Sequence, residues 1–219
     1  MAGFGNKVER RKIYRAGSFA VSAMACPGCR AIVAESVDQC PQCGYSGHSA
    51  VEKFPFAAPA LERYLDPNEH FSGADREVID RSLDDLAKRF PQPRFCFCVV
   101  DLEEETDPRE FGFWMLNASP VSGPDEEKLR PWTILLVIDN ANGRASITSG
   151  YAIEPFLNEE GWAALLLQER QFFSSRNYGA AVLKFVDGAI GVLSEGAERT
   201  ERKLGYRKLE NRYPDRWWK

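Results

Sequence analysis

Four cysteines in two matched pairs are the residues of this chain best suited to chemistry. Cys26 and Cys29 form one C-x-x-C pair, and Cys40 and Cys43 form a second pair after ten intervening residues. Each pair aims two thiolates from one tight turn, and two such turns at this spacing are typical of a zinc ribbon. We expect structural Zn2+, because four thiolates leave no open position on the ion. A dithiol redox pair is the alternative, but one shared ion explains both pairs.

The other cysteines and the histidines fit less specific roles. Cys96 and Cys98 alternate with apolar residues in a predicted strand, which indicates buried core thiols on one face. His48 follows the second cysteine pair and is a minor alternative as a metal ligand, while His70, close to Asp66, is a candidate proton donor. Metal-binding turns together with unpaired thiols favour a reducing cytoplasm.

The N-terminal segment carries a competing export signal. Arg10, Arg11, Lys12 and Arg15 precede a short apolar stretch that ends at Cys26, which resembles a lipoprotein signal. Cleavage there would commit Cys26 to lipid, so we expect a cytoplasmic protein and keep lipoprotein export as the minor alternative. The chain contains no apolar run of 18 residues, and we therefore expect no membrane span.

Charge is unevenly distributed along the 219 residues. The net charge of −4 divides into +5 for residues 1–30, −12 for 31–193 and +3 for 194–219. The acidic middle argues against a nucleic-acid surface on the main body. A protein partner is favoured instead, contacted through the basic termini and the terminal aromatic pair Trp217 and Trp218, although that pair is equally suited to folding back on its own chain.

The periodicity predicts a small ribbon followed by an α/β body. We expect a basic arm and zinc ribbon over 1–50, a linker or wrapping segment over 51–65, the α/β domain over 66–195 and a charged helical extension over 196–219. Within the domain, strands are predicted over 95–100 and 133–138, the second returning through an antiparallel hairpin. Helices are predicted from Ser72, from Asp107, from Asn158 and from Tyr178.

This order of elements brings several oxygen-bearing side chains to one edge of the sheet. Two parallel strands with a helical crossover end at Asp101 and Asp139, and the flanking helices return Asp66 and Asn177 to that edge. Carboxylates gathered there would repel one another unless a cation such as Ca2+ or Mg2+ lay among them. The alternative is that each side chain only caps a strand or helix end.

Four short motifs resemble the TPM domain family, which includes a thylakoid-lumen acid phosphatase-like protein. The resemblance covers residues 61–195. It consists of Asp66 followed by Phe71 and Ser72, the strand ending at Asp139 followed by Arg144, and two later motifs, Gly150-Tyr151-Ala152-Ile153-Glu154 and Asn177-Tyr178-Gly179. Ala152 stands where the family has glycine, and Asn177 where it has an acid.

The resemblance implies a three-layer α/β/α sandwich around a central mixed sheet, with an acidic cleft for a divalent cation and, in some members, phosphatase activity. Two functions follow. The first, which we favour, is a non-catalytic interaction or regulatory module that binds a protein partner or assembly. The second is a divalent-cation-dependent phosphatase acting on phosphomonoesters, with Asp66, Asp101 and Asp139 as catalytic residues and Asp66, Asp139 and Asn177 as cation ligands.

Overall fold

The computed structural model describes residues 24–34, 37–120, 128–153, 156 and 159–204. A four-stranded mixed sheet lies at the centre, and a two-stranded antiparallel sheet lies close to the N-terminus. The strands are β1 (Met24–Ala25), β2 (Ile32–Val33), β3 (Tyr64–Leu65), β4 (Arg94–Val100), β5 (Thr133–Asp139) and β6 (Arg144–Ser149). The helices are α1 (Gly47–Lys53), α2 (Gly73–Arg89), α3 (Pro108–Ala118), α4 (Glu159–Gln168), α5 (Arg170–Ser174) and α6 (Tyr178–Leu204), with a 3-10 turn at Arg130–Trp132.

The order of strands in the large sheet is β3-β4-β5-β6. β4 pairs in parallel with both β3 and β5, and β6 returns antiparallel to β5. Every residue of β5 is buried, as expected for a central strand covered on both faces. The predicted parallel pair and the predicted hairpin are therefore confirmed.

Alternate residues of the central strands divide the core into two faces. Phe95, Phe97, Ile134 and Leu136 pack with α2, α4, α5 and α6. Cys96, Cys98, Leu135 and Val137 point the other way and pack with α3 and the N-terminal ribbon. Helices on both faces make the predicted three-layer α/β/α sandwich, and the two strand cysteines are buried core thiols as expected.

Helix α3 crosses the sheet at close range because Gly112 has no side chain. A Cβ built on Gly112 would lie 2.4 Å from Thr148 Oγ1 and 3.3 Å from Val137 Cγ2. Phe111, Trp114 and Met115 are buried along the same helix, as the apolar pattern predicts.

The segment expected to be a linker or a wrapping segment contains two short elements. Residues Gly47–Lys53 form α1, and Tyr64–Leu65 pair with β4 as an edge strand. At seven residues α1 is too short to show a helical period, yet its capping box is in the sequence: Ser46 and Ser49 exchange side-chain and backbone hydrogen bonds. The segment therefore packs as part of the body.

The predictions for the last two helices, the chain termini and the absence of a membrane span have different outcomes. Helix α6 continues the predicted apolar helix into the charged extension as far as Leu204, whereas the single helix predicted from Asn158 is divided at Glu169 into α4 and α5. Asn158 itself, the basic N-terminal arm and the pair Trp217 and Trp218 lie outside the described residues. Over the described ranges, the helices are either too short or too polar to cross a bilayer.

Candidate metal centre and the polar edge of the sheet

Two backbone turns of the same geometry hold the four cysteines. In the first, Arg30 N–H donates to the Cys26 carbonyl, and Cys26 N–H donates to the Ala31 carbonyl, both at 2.9 Å. In the second, Gly44 N–H donates to the Cys40 carbonyl and Cys40 N–H to the Tyr45 carbonyl, both at 2.8 Å. The residue after the second cysteine of each turn has a left-handed backbone, with φ of 65° at Arg30 and 75° at Gly44.

The four sulfur atoms lie at the separations expected around one tetrahedral ion. Cys26 Sγ is 3.7 Å from Cys43 Sγ, Cys29 Sγ is 3.6 Å from Cys40 Sγ, and all four lie within 4.8 Å of one another. Zn–S bonds of about 2.3 Å place tetrahedral sulfurs about 3.8 Å apart, whereas a disulfide would bring two of them to about 2 Å. The donor set therefore fits a metal such as zinc.

The thiols in this cluster differ in their acidity. Burial raises the pKa of Cys26 to about 12. Burial acts in the same direction on Cys40, but backbone N–H groups of Cys43 and Gln42, together with the neighbouring thiols, lower its pKa to about 7. Of these two thiols, Cys40 is the one that reaches the thiolate form near neutral pH, which is the form that binds metal.

The ribbon packs against α3 through aromatic side chains. Tyr45 contacts Phe113 with ring centroids 5.9 Å apart, and Phe54, which follows α1, lies 5.6 Å from Phe111 and 5.0 Å from Trp114. Lys53 of α1 also forms an ion pair with Glu110. Because Cys26, Cys40 and Val33 belong to the same buried cluster as Leu135 and Val137, the metal centre is built onto one face of the sandwich.

Asp139 is buried at the end of β5 and accepts hydrogen bonds from three residues. Its Oδ1 accepts from the backbone N–H groups of Leu102 and Asn142 at 3.2 and 3.3 Å. Its Oδ2 accepts from Asn142 Nδ2 at 2.9 Å and from Arg144 Nε and Nη2 at 2.9 and 2.6 Å. A carboxylate has about four lone-pair positions. Five donors therefore leave Asp139 no free position for a cation.

Asp66 is occupied in a similar way. Oδ1 accepts from His70 N–H at 3.0 Å and lies 2.8 Å from His70 Nδ1, and Oδ2 accepts from Phe71 N–H at 2.8 Å and lies 3.6 Å from Arg76 Nη2. Burial alone would raise the pKa of Asp66, but the hydrogen bonds from Phe71 and His70 outweigh it and hold the pKa below its ordinary value.

The remaining predicted residues lie at the same edge but serve other contacts. Asp101 is exposed and accepts from Asn68 Nδ2 at 3.2 Å and from Asn140 Nδ2 at 2.5 Å. Tyr178 Oη donates to Asn140 Oδ1 at 2.7 Å, and its ring lies 5.5 Å from that of His70. Asn177 precedes α6, where its Oδ1 accepts from Ala180 N–H at 3.3 Å.

The expected cation site at this edge is therefore not assembled. Asp66, Asp101, Asp139 and Asn177 do come to one edge of the sheet, but each is bound to its own protein partners. Within the described ranges, the four cysteines are the one group of three or more His, Cys, Asp or Glu ligand atoms close enough to share an ion. The expectation of Ca2+ or Mg2+ is unsupported by this geometry.

Sequence reasoning missed the cationic and amide partners of these carboxylates. The signal for Arg144 was present, because a hairpin with this turn pairs it directly with Asp139 across β5 and β6. The His70 contact also follows from its spacing of four residues from Asp66. The link from Asn140 to Tyr178 joins distant segments and has no comparable sequence signal.

The solved structures that are similar to this chain include two N-terminal domains. One is the N-terminal domain of the cg2496 protein from Corynebacterium glutamicum, determined by NMR in solution, at 16% identity and a TM-score of 0.45, covering 62% of this chain and 80% of that one. The other is the N-terminal domain of a protein from P. gingivalis, also an NMR structure, at 17% identity and a TM-score of 0.46, covering 70% and 94%. No family model and no curated protein matches the sequence.

Proposed function

We propose that this protein is a non-catalytic interaction or regulatory module, in which a zinc ribbon and a TPM-like α/β domain together bind a protein partner or assembly. The TPM assignment comes from the order of the motifs around Asp66, Asp139 and Asn177 in the sequence. Zn2+ is the ion proposed for the four cysteines, where it serves as a structural element.

The observation that carries this proposal is the occupancy of the two buried carboxylates. Asp139 accepts from five donors, and Asp66 accepts from two backbone N–H groups beside His70 and Arg76. A cation or a substrate could reach either group only by displacing these partners. Charged groups bound in this way stabilise a scaffold, which is the role an interaction module requires of them.

The construction of the ribbon also supports the proposal. Its four thiolates form a closed ligand set, which suits a structural ion. Its contacts with Phe111, Phe113 and Trp114 fix its orientation on the body. A ribbon held in a fixed orientation can offer a defined surface to a partner. Ile32 on β2 contributes an apolar side chain to that surface and is 68% exposed.

The test is affinity capture of partners from a native lysate. We expect wild type to retain a partner in a defined ratio, and Ile32→Asp on the ribbon to reduce that retention. Val78→Asp is the matched control, because Val78 is an exposed apolar residue on α2. A deletion of residues 212–219 tests the contribution of the terminal tryptophans. Absence of any stoichiometric partner from wild type would contradict the proposal.

A divalent-cation-dependent phosphatase is the second candidate. It is favoured by the His70 ring, which is held by the buried Asp66 at the same edge as the exposed carboxylate of Asp101. A screen with a generic phosphomonoester, Mg2+ and Ca2+ over a broad pH range tests it. If wild type and Asp101→Asn are equally inactive, this candidate is eliminated.

A further inference from the structure

A groove of about 400 Å3 lies at the start of β6, the last strand of the sheet. Residues 143–146 line its floor, the first residues of α3 form one side, and the junction of α4 and α5 forms the other. Four arginines from four separate segments line it: Arg30, Arg109, Arg144 and Arg170. Leu167, whose side chain is 69% exposed, adds apolar surface beside them.

Two of these arginines carry charge that the protein does not neutralise by contact. Arg109 is paired with Asp107, and Arg144 with Asp139. The side chains of Arg30 and Arg170 are both exposed, and over the described ranges neither guanidinium makes a hydrogen bond or an ion pair. Helix α3 also begins here, and its N-terminus is capped by Asp107, the one acidic residue among those that line the groove. The groove therefore attracts anionic groups.

The backbone at Arg30 is strained in a way that its counterpart is not. Arg30 and Gly44 occupy equivalent positions in the two cysteine turns, both with positive φ. Glycine adopts this conformation without steric cost, whereas arginine does not. The arginine side chain at this position lines the groove.

The floor of the groove is an open strand edge. Gly150 N–H donates to the Thr133 carbonyl, so these two residues form a hydrogen-bonded pair of the antiparallel ladder. Such pairs alternate with pairs that are not hydrogen-bonded, and the register therefore turns the N–H and C=O groups of Ala145 and Ile147 away from β5. Over the described ranges β6 pairs with β5 alone. In addition, Ser146 is 5% exposed and its Oγ has no hydrogen-bond partner within that part of the chain.

We propose that this groove binds an extended acidic segment of a partner protein, which adds to the sheet as a strand beside β6 and pairs its carboxylates with Arg30 and Arg170. Main-chain pairing would satisfy the open N–H and C=O groups, and the exposed side chain of Leu167 would contact apolar side chains of the segment. The inference rests on the proposed interaction function and specifies the chemistry of the partner.

Charge and shape favour a peptide over nucleic acid. The chain has a net charge of −4, and the groove sets four arginines beside Asp107 within about 400 Å3. An acidic peptide needs only a short basic site, and the unpaired backbone of β6 offers it hydrogen bonds in register. A phosphate backbone could accept from the outward N–H groups but would leave the outward carbonyls without a donor.

The experiment measures binding of a short fluorescein-labelled peptide of alternating Glu and Val to the zinc-loaded full chain by fluorescence anisotropy. A peptide of alternating Lys and Val is the matched ligand control. We expect Arg170→Glu to weaken binding of the acidic peptide by at least about tenfold. Arg81→Glu is the matched protein control, since Arg81 is exposed on α2 and does not line the groove.

Two further variants separate the two modes of recognition. Arg30→Gly should weaken peptide binding without lowering the thermal midpoint, because it relieves the left-handed backbone. Ala145→Pro removes one outward N–H and leaves the β5–β6 ladder intact, so it should weaken binding in a folded protein. Both variants are checked for one bound zinc and for an unchanged circular dichroism spectrum.

The proposal is overturned if the acidic peptide binds no better than the basic one, or if Arg170→Glu and Arg81→Glu bind it equally. It is also overturned if inorganic phosphate or a single-stranded oligonucleotide binds in its place with the same dependence on Arg30 and Arg170. If captured partners are lost with Ile32→Asp but kept with Arg170→Glu, the groove is not their site, while the interaction function stands.

Discussion

Arg144 closes the last hairpin of the sheet against the buried carboxylate of Asp139, donating from Nε and Nη2 to Oδ2 at 2.9 and 2.6 Å. The same guanidinium donates to the backbone carbonyls of Glu103, Glu104 and Thr106. One side chain therefore neutralises the end of β5 and holds the acidic loop that leads into α3.

Removing Arg144 should be costly because it leaves Asp139 charged and buried. We expect Arg144→Met to lower the free energy of unfolding by about 3 kcal/mol, measured by urea denaturation. Arg81→Met is the control, since Arg81 is exposed and makes a single hydrogen bond to the Glu77 carbonyl. Equal stability of the two variants would show that the pair does not support the fold.

The metal centre gives a second prediction. Zinc-loaded protein should contain one zinc per chain, and chelation should accelerate hydrogen exchange in residues 24–54 and in α3, because Tyr45 and Phe54 pack on that helix. Strands β4 and β5 should remain protected. Exchange is followed by mass spectrometry, with Cys40→Ser expected to reproduce the chelated state.

Cys96→Ala provides the control for that experiment, since Cys96 is a buried thiol in β4 and lies outside the four-cysteine cluster. It should retain the full zinc content. Unchanged exchange after complete removal of zinc would contradict the structural role of the ion.

The depressed pKa of Asp66 predicts a pH-dependent contribution to stability. A carboxyl group whose pKa is lower in the folded state than in the unfolded state stabilises the protein at pH values above 3.8, its ordinary pKa. That stabilisation is lost as the pH falls through the pKa of the folded state. Asp66→Asn should therefore be less stable than wild type at pH 7, and the difference should shrink below about pH 4.

The measurement is the difference in free energy of unfolding between wild type and variant from pH 3 to pH 7. Asp85→Asn is the comparison, because Asp85 is exposed and pairs with the exposed Lys88, so its effect at pH 7 should stay below about 1 kcal/mol. A difference for Asp66→Asn that is constant with pH would exclude its charge as the source.

The parts of the molecule that the sequence predicts are those with local signals. The spacing of the cysteines predicts that their sulfur atoms cluster around one ion, as found for Cys26, Cys29, Cys40 and Cys43. Strand β5 is recognisable as a buried strand from its uninterrupted apolar run. In contrast, β3 contains two residues and gains its pairing from β4 alone. Alternation needs a longer strand to be visible, so tertiary contact decided its structure.

The candidate sites divide in the same way. The convergence of Asp66, Asp101 and Asp139 at one edge follows from topology, but their hydrogen-bond partners decide whether a cation can bind. Those partners depend on side-chain placement that topology does not determine. The arginine groove has no sequence signal, because Arg30 and Arg170 are separated by most of the chain and meet only through packing of the ribbon, α3 and α5.

The close crossing of α3 over β6 gives the last prediction, and it tests the packing that shapes that groove. Gly112→Ala would place a methyl group 2.4 Å from Thr148 Oγ1, so the helix or the strand would have to shift. We expect a loss of about 1–3 kcal/mol in the free energy of unfolding, as for other overpacked contacts. Thr148→Ala removes the nearest atom and should restore most of that stability in the double variant. If the double variant is no more stable than Gly112→Ala, the cost arises elsewhere along α3, and the contact with β6 does not set the helix position.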